Sequence, residues 1–110
     1  MPKSQDFFNS VWAVVLLVPY GKVTSYGAIA RYLGASKSSR IVGYAMNASH
    51  QNETKIPAHR VVNRNGLLTG KFHFETNDMM QILLENEGIK IKNDQIEDFE
   101  KYFWDPNLEL

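Results

Sequence analysis

The 110 residues include no cysteine. That absence excludes disulfides and thiolate-bound metal sites, removes the thiol nucleophile from the chemistry available, and leaves the redox compartment open. Long apolar runs are missing too. The longest, Val11 to Val18, stops at Pro19 and suits a buried helix rather than a membrane span. No basic segment followed by an apolar core and cleavage site opens the chain, so no signal peptide is expected. Acidic residues are absent over one long stretch, with none between Phe7 and Asn52. His50, His59 and His73 lack the spacing and supporting acid of a ligand set, so neither metal nor cofactor is expected.

What is present fits one compact domain over residues 1–110, since 44% of the residues are apolar and 12% aromatic. The net charge of zero hides a strong asymmetry. Residues 1–74 hold nine Lys or Arg against the two acids Asp6 and Glu53, whereas residues 75–110 hold three Lys against ten acids. Such a split gives a polyanion a basic face to meet and an acidic tail to avoid. The plainer reading is a domain whose halves neutralise each other.

Apolar residues at helical spacing predict a first helix from a Ser4 N-cap through Phe7, Phe8, Val11, Val14, Val15 and Val18, with Trp12 and Leu17 widening the stripe. Thr24 or Ser25 can cap a short helix from Tyr26 to Leu33, which Gly34 ends in a left-handed conformation. A second short helix runs from Arg40 to Asn47, completing a candidate helix-turn-helix. Asn65-Gly66 between Val61-Val62 and Leu67-Leu68 predicts a β-hairpin. A last clear helix starts near Asn77, buries Met79, Met80, Ile82 and Leu83 with Leu84 as a further candidate, and stops at Gly88. Ile89-Lys90-Ile91 reads as a short extended segment, and the tail from Asp94 to Trp104 fits helix or loop equally.

Four segments carry a resemblance. Pro57-Ala58-His59-Arg60-Val61 is similar to the Pro-Cys-His-Arg-Val signature of the O6-alkylguanine-DNA alkyltransferases, with alanine in place of the reactive cysteine. Pro19 to Gly27 resembles the family's entry to its helix-turn-helix, Ser39 to Met46 its recognition helix, and Glu85-Asn86-Glu87-Gly88 its acid near the end of a later helix. Together they run in order from about residue 7 to residue 91. The resemblance does not extend to the further N-terminal domain usual in the repair enzymes, and the cysteine-free chain with its Tyr/Trp-bearing tail is most similar to the alkyltransferase-like proteins. The fold this implies is mainly α: a winged-helix-like helix-turn-helix DNA-binding domain with a short β-hairpin.

The resemblance also implies roles. Tyr26, Ser38, Ser39, Arg40, Gly43 and Lys71 would contact DNA in the minor groove, with Arg40 filling the gap left by an extruded nucleotide and Tyr26 crowding its 3′ phosphate. Tyr26, Pro57, Ala58, His59, Val61 and Val62 would form the lesion pocket. His59 and Glu87 would be relics of thiol activation, because an alanine methyl has no lone pair with which to accept an alkyl group. Where relatives often carry tryptophan, Ala58 leaves more room and implies tolerance of larger adducts. Lys71 occupies a position at which relatives place a lesion-sensing basic residue.

The implied function is non-enzymatic recognition of O6-alkylguanine in double-stranded DNA, by a monomer acting with nucleotide-excision repair proteins, without membrane association, in the cytoplasm (nucleoid) or nucleus. Two alternatives stay open: an O6-methylguanine-DNA methyltransferase whose nucleophile was replaced by Ala58, and a general helix-turn-helix DNA-binding protein. Each residue also has a structural reading. Arg40 fits a solvated helix terminus, Tyr26 a core-edge aromatic, His59 a brace for its turn, and Arg60 a partner to a carboxylate that fixes the loop.

Overall fold

The computed structural model describes residues 3–110. The first helix, α1, spans Lys3–Leu17. Its valines at 11, 14 and 15 are buried, as is Val18 just past its end, and Trp12 Nε1 donates to the Ala45 carbonyl at 2.8 Å, fastening α1 to the helix that carries Ala45. Ser4 lies within the first turn rather than at the cap. Leu17 is exposed, because its angular position falls off the valine face.

A two-residue strand β1 (Thr24–Ser25) leads directly into α2 (Tyr26–Tyr32). Ser25 Oγ accepts from the Ala28 N–H at 3.1 Å, satisfying one of the amides that a helix start leaves free. At the other end Gly34 adopts φ +74°, and the Ala35 N–H reaches back to the Ala30 carbonyl at 2.8 Å. That reversal is open to glycine at little steric cost. The chain then enters α3 (Ser39–Ser49), slightly longer than the sequence predicts at both ends. The helix α2 packs on α3 and α3 on α1, so the helix-turn-helix closes around a core that includes Ile29, Ala30, Val42, Ala45 and Met46.

Val61–Val62 form β2, which pairs parallel to β1 in the register Thr24↔Val61 and Ser25↔Val62. The hairpin predicted here is therefore not made, although its turn is. Gly66 has φ +79°, and the Asn63 side-chain oxygen accepts from the Asn65 and Leu67 amides. The cause lies in β2, whose successive side chains point to opposite faces and are both buried. Val61 joins the core under the helix-turn-helix, and Val62 joins a second core with Val23, Leu68, Met80, Leu84, Ile89 and Ile96. A strand covered on both sides pairs with β1 rather than with the segment after its turn.

The helix α4 (Met79–Asn86) buries Met80 and Leu84, while Ile82, predicted to be buried, is exposed. The antiparallel hairpin follows later, between β3 (Ile91–Lys92) and β4 (Gln95–Ile96). Its turn residues Asn93 and Asp94 both have positive φ, as a two-residue hairpin of right-handed twist requires. Two single-turn helices close the chain, α5 (Phe99–Tyr102) and α6 (Pro106–Glu109). Backbone bonds of Val23 to Tyr102 and Trp104 tie this tail to the entrance of the helix-turn-helix, and Asn107 Nδ2 donates to the Ala28 carbonyl at 3.1 Å. Among the described residues no helix is long and apolar enough to cross a membrane.

Candidate nucleic-acid interface

A single turn of 3-10 helix, Ala58–Arg60, places His59 and Arg60 against Glu87 at the end of α4. His59 Nε2 lies 2.6 Å from Glu87 Oε2, and Arg60 Nη2 lies 3.0 Å from the same oxygen. Glu87 Oε1 also accepts from the Gly21 N–H at 2.7 Å. Arg60 Nη1 donates to the Val18 carbonyl at 2.9 Å, capping the end of α1. One carboxylate, its side chain only 6% exposed, thus holds α1, the turn after Pro19, the Ala58 turn and α4 together.

Protonation follows from this packing. Burial pushes the His59 imidazole below its ordinary range, against the upward pull of Glu87. Neutral His59 therefore donates from Nε2, since a carboxylate only accepts. Burial alone would raise the Glu87 carboxyl, but the Gly21 amide, Arg60 and His59 outweigh it and hold the group below the usual carboxylate range. The sequence readings of Arg60 as partner to a carboxylate and of His59 as a brace describe these contacts.

A separate opening lies between α3 and the loop after Leu68. This cavity of about 370 Å³ is lined by Tyr26, Ser39, Arg40, Gly43, Tyr44 and Asn47, with Thr69, Gly70 and His73 across from them. Its size falls within the range of small-ligand sites. Arg40, Gly43, Tyr44 and Asn47 recur at i, i+3, i+4 and i+7, which puts them on one face of α3. Tyr26 connects the cavity to the interior, for it also packs on the core cluster that contains Ala58 and Val61. Burial raises its phenol above the ordinary value, while Thr69 pulls the other way. Gly70 makes room for it: a Cβ there would come within 3.0 Å of Tyr26 Oη.

Of the positions given to the lesion pocket, Tyr26 lines this opening, whereas Pro57, Ala58, His59, Val61 and Val62 do not. The strand pairing that buries Val61 and Val62, and the Glu87 contact that engages His59, account for this. Among the DNA-contact positions, Ser39, Arg40 and Gly43 line the cavity, and Ser38 is the N-cap residue of α3. Lys71 lies elsewhere. Its Nζ meets Asp94 Oδ2 at 2.6 Å, so the turn of the β3–β4 hairpin takes up its charge. The sequence reading missed Tyr44, Asn47, Thr69, Gly70 and His73. Helical spacing from Arg40 would have found Tyr44 and Asn47; the other three arrive through a loop with no local signal.

A second groove shares the Tyr26 and Ser39 wall. It runs past Gly27, Arg31, Asn63 and Arg64 to the aromatic pair Phe99 and Phe103, whose centroids are 5.3 Å apart. Among the described residues Arg31, Lys37, Arg40, Lys55 and Arg64 have no carboxylate within 4.0 Å. Three of these, Arg31, Arg40 and Arg64, line the two openings beside Tyr26. No group of three His, Cys, Asp or Glu among the described residues is placed to hold a metal.

A helix-turn-helix with unpaired arginines beside an open cavity defines a class of nucleic-acid-binding domain. Residues 6–89 match the family described as 6-O-methylguanine DNA methyltransferase, DNA binding domain, and the chain belongs to that family. It is 34% identical over 108 residues to alkyltransferase-like protein 1 of Schizosaccharomyces pombe, covering 94% of this chain and 99% of that one. It is 35% identical to the DNA base-flipping protein of Escherichia coli, covering 94% of this chain and 78% of the relative. The solved complex of S. pombe Atl1 with damaged DNA containing O6-carboxymethylguanine superposes with a TM-score of 0.79 at 36% identity, over 93% of this chain and 97% of that one. The chain spans about half the length of its methyltransferase relatives, 54% of the one from Methanosarcina acetivorans, to which it is 39% identical over 79% of its own length. In a family named for methyl transfer, this chain carries Ala58 at the nucleophile position and no cysteine anywhere. It therefore has no thiol with which to accept a methyl group.

Proposed function

We propose that this protein binds double-stranded DNA through the minor groove, extrudes an O6-alkylguanine and holds it without reacting with it. The cavity carries the reading: an opening of about 370 Å³ on the recognition helix, large enough to take a base, with Tyr26 on its wall and the unpaired Arg40 on its face. Arg40 enters the base stack as the nucleotide leaves, and its guanidinium offsets an unstacking cost of a few kcal/mol. Tyr26 crowds the phosphate at the lesion. Arg31 and Arg64 in the adjoining groove neutralise the backbone of the same duplex. Relatives named for base flipping and for a complex with damaged DNA support the assignment.

The adduct would reach the Ala58 cluster only after Tyr26 shifts, because Tyr26 stands between that cluster and the open cavity. With a methyl group at position 58 the contact ends in binding, and the held lesion is the signal passed to nucleotide-excision repair proteins. The domain over residues 1–110 acts as a monomer in this scheme. Competition between matched duplexes with and without O6-methylguanine, run beside an assay for methyl transfer to protein, tests it. Tighter binding to the lesion with no transfer is expected. Equal affinities would reduce the protein to a general helix-turn-helix binder.

A further inference from the structure

The proposed cavity contains a side chain to which neither the minor-groove scheme nor the Arg40 role gives a task. Tyr44 follows Arg40 by four residues and so projects from the same face of α3. It lines the cavity with Tyr26 and stays 54% exposed. Among the described residues its hydroxyl has no hydrogen-bond partner, and it belongs to neither apolar core. On its other sides the same face is small or polar: Gly43 precedes it, with nothing within 4 Å of where a Cβ would stand, and Asn47 follows one turn on. A large ring held out from a helix, beside a glycine that keeps space open next to it, is placed to meet a flat ligand.

Resting on the lesion-binding reading above, we propose that Tyr44 is a specificity-determining residue of that cavity, whose ring stacks on the extruded alkylated purine. Every base offers a π-face, and base–aromatic stacking tolerates substituents at the base edge. Tyr44 would therefore add affinity for whatever purine occupies the cavity while leaving the choice of alkyl group to the rest of the wall. An undamaged duplex that keeps its bases stacked gives Tyr44 no ring to meet.

Tyr44→Ala and Tyr44→Phe are titrated against three duplexes: one with O6-methylguanine, one undamaged, and one with an abasic site at the same position. Tyr44→Ala should weaken binding to the lesion duplex by about tenfold more than to the other two, whereas Tyr44→Phe keeps the ring and should bind all three as the wild type does. Loss of the same factor on all three duplexes would make Tyr44 a groove contact and overturn the stacking role. A wild-type preference for the lesion that survives Tyr44→Ala undiminished overturns this inference alone. Equal wild-type affinity for lesion-bearing and undamaged DNA overturns the lesion-binding reading with it.

Discussion

The Glu87 cluster and the cavity on α3 treat their polar groups in opposite ways. Around Glu87 nearly every donor is used, with His59, Arg60 and the Gly21 amide converging on one carboxylate and Arg60 capping α1 as well. On the cavity face Arg40, Tyr44 and Asn47 are exposed, and among the described residues Arg40 has neither a carboxylate nor a hydrogen-bond partner. Groups that would prepare a thiol in a reactive relative hold the scaffold together here. The groups proposed to meet DNA are left without internal partners, so binding would not first have to break them free. Loss of the nucleophile therefore leaves the Glu87 cluster with a structural job.

If that division holds, the largest effect in the molecule should come from Glu87→Ala. It strands a part-buried Arg60, a part-buried His59 ring and the Gly21 amide together. Removing one member of a buried charge cluster costs on the order of 3 kcal/mol, reduced somewhat here by the partial exposure of Arg60. Thermal unfolding followed by circular dichroism should show Tm lowered by roughly 10–20 °C. Lesion preference should persist in protein kept cold enough to stay folded. A change in Tm of less than about 3 °C would mean that the cluster does not hold the fold.

Arg40→Ala should do the reverse. The side chain is exposed and unpaired, so stability should move by no more than about 0.5 kcal/mol. Affinity for the lesion duplex should fall about tenfold or more, together with the fluorescence rise of 2-aminopurine that reports extrusion. Unchanged 2-aminopurine fluorescence in this variant would remove Arg40 from the extrusion step.

Acid should separate the two regions less sharply. The folded pKa of His59 is depressed below its ordinary 6.5, so its contribution to stability is complete above that value and is lost as pH falls through the folded value. Glu87 is depressed below its ordinary 4.5 and adds a second loss lower down. Urea unfolding should thus shift to lower midpoints from about pH 6.5 downward, and His59→Gln should remove the upper part of the decline. A midpoint that stays flat between pH 7 and pH 5 in the wild type would contradict the sign of the His59 shift.

The same contrast explains what could be read from the sequence. Local chemistry was legible: Ser25 caps α2, Gly34 ends it, and Arg40 begins the exposed face of α3 because capping, left-handed backbone and helical spacing act within a few residues. The Glu87 contacts were legible through the family resemblance, in which the acid recurs beside the His-Arg pair. Pairings set over long distances were not. Val61-Val62 looked like half a hairpin, but its second face is buried by residues from the other end of the chain. The pairing of Lys71 with Asp94, 23 positions on, gave no local signal either. His73 gave no signal at all.

Thr24 carries the smallest of these effects and lies where the two regions join, in β1 immediately before Ser25 and Tyr26. It is fully buried, and among the described residues its Oγ1 is the buried side-chain oxygen without a hydrogen-bond partner. A hydroxyl buried without a partner forfeits its hydration, so Thr24→Val, which keeps the shape and removes the hydroxyl, should raise stability by up to about 1 kcal/mol. If Thr24 belongs wholly to the scaffold, lesion affinity should not change. If the β1 backbone shifts when Tyr26 moves to admit a base, the hydroxyl gains a partner in the bound state, and the more stable variant should bind the lesion duplex more weakly than the wild type. Urea unfolding and lesion titration on the same preparation measure both quantities. A loss of stability in the variant would show that Oγ1 is satisfied after all, which would place Thr24 with the fully bonded groups around Glu87.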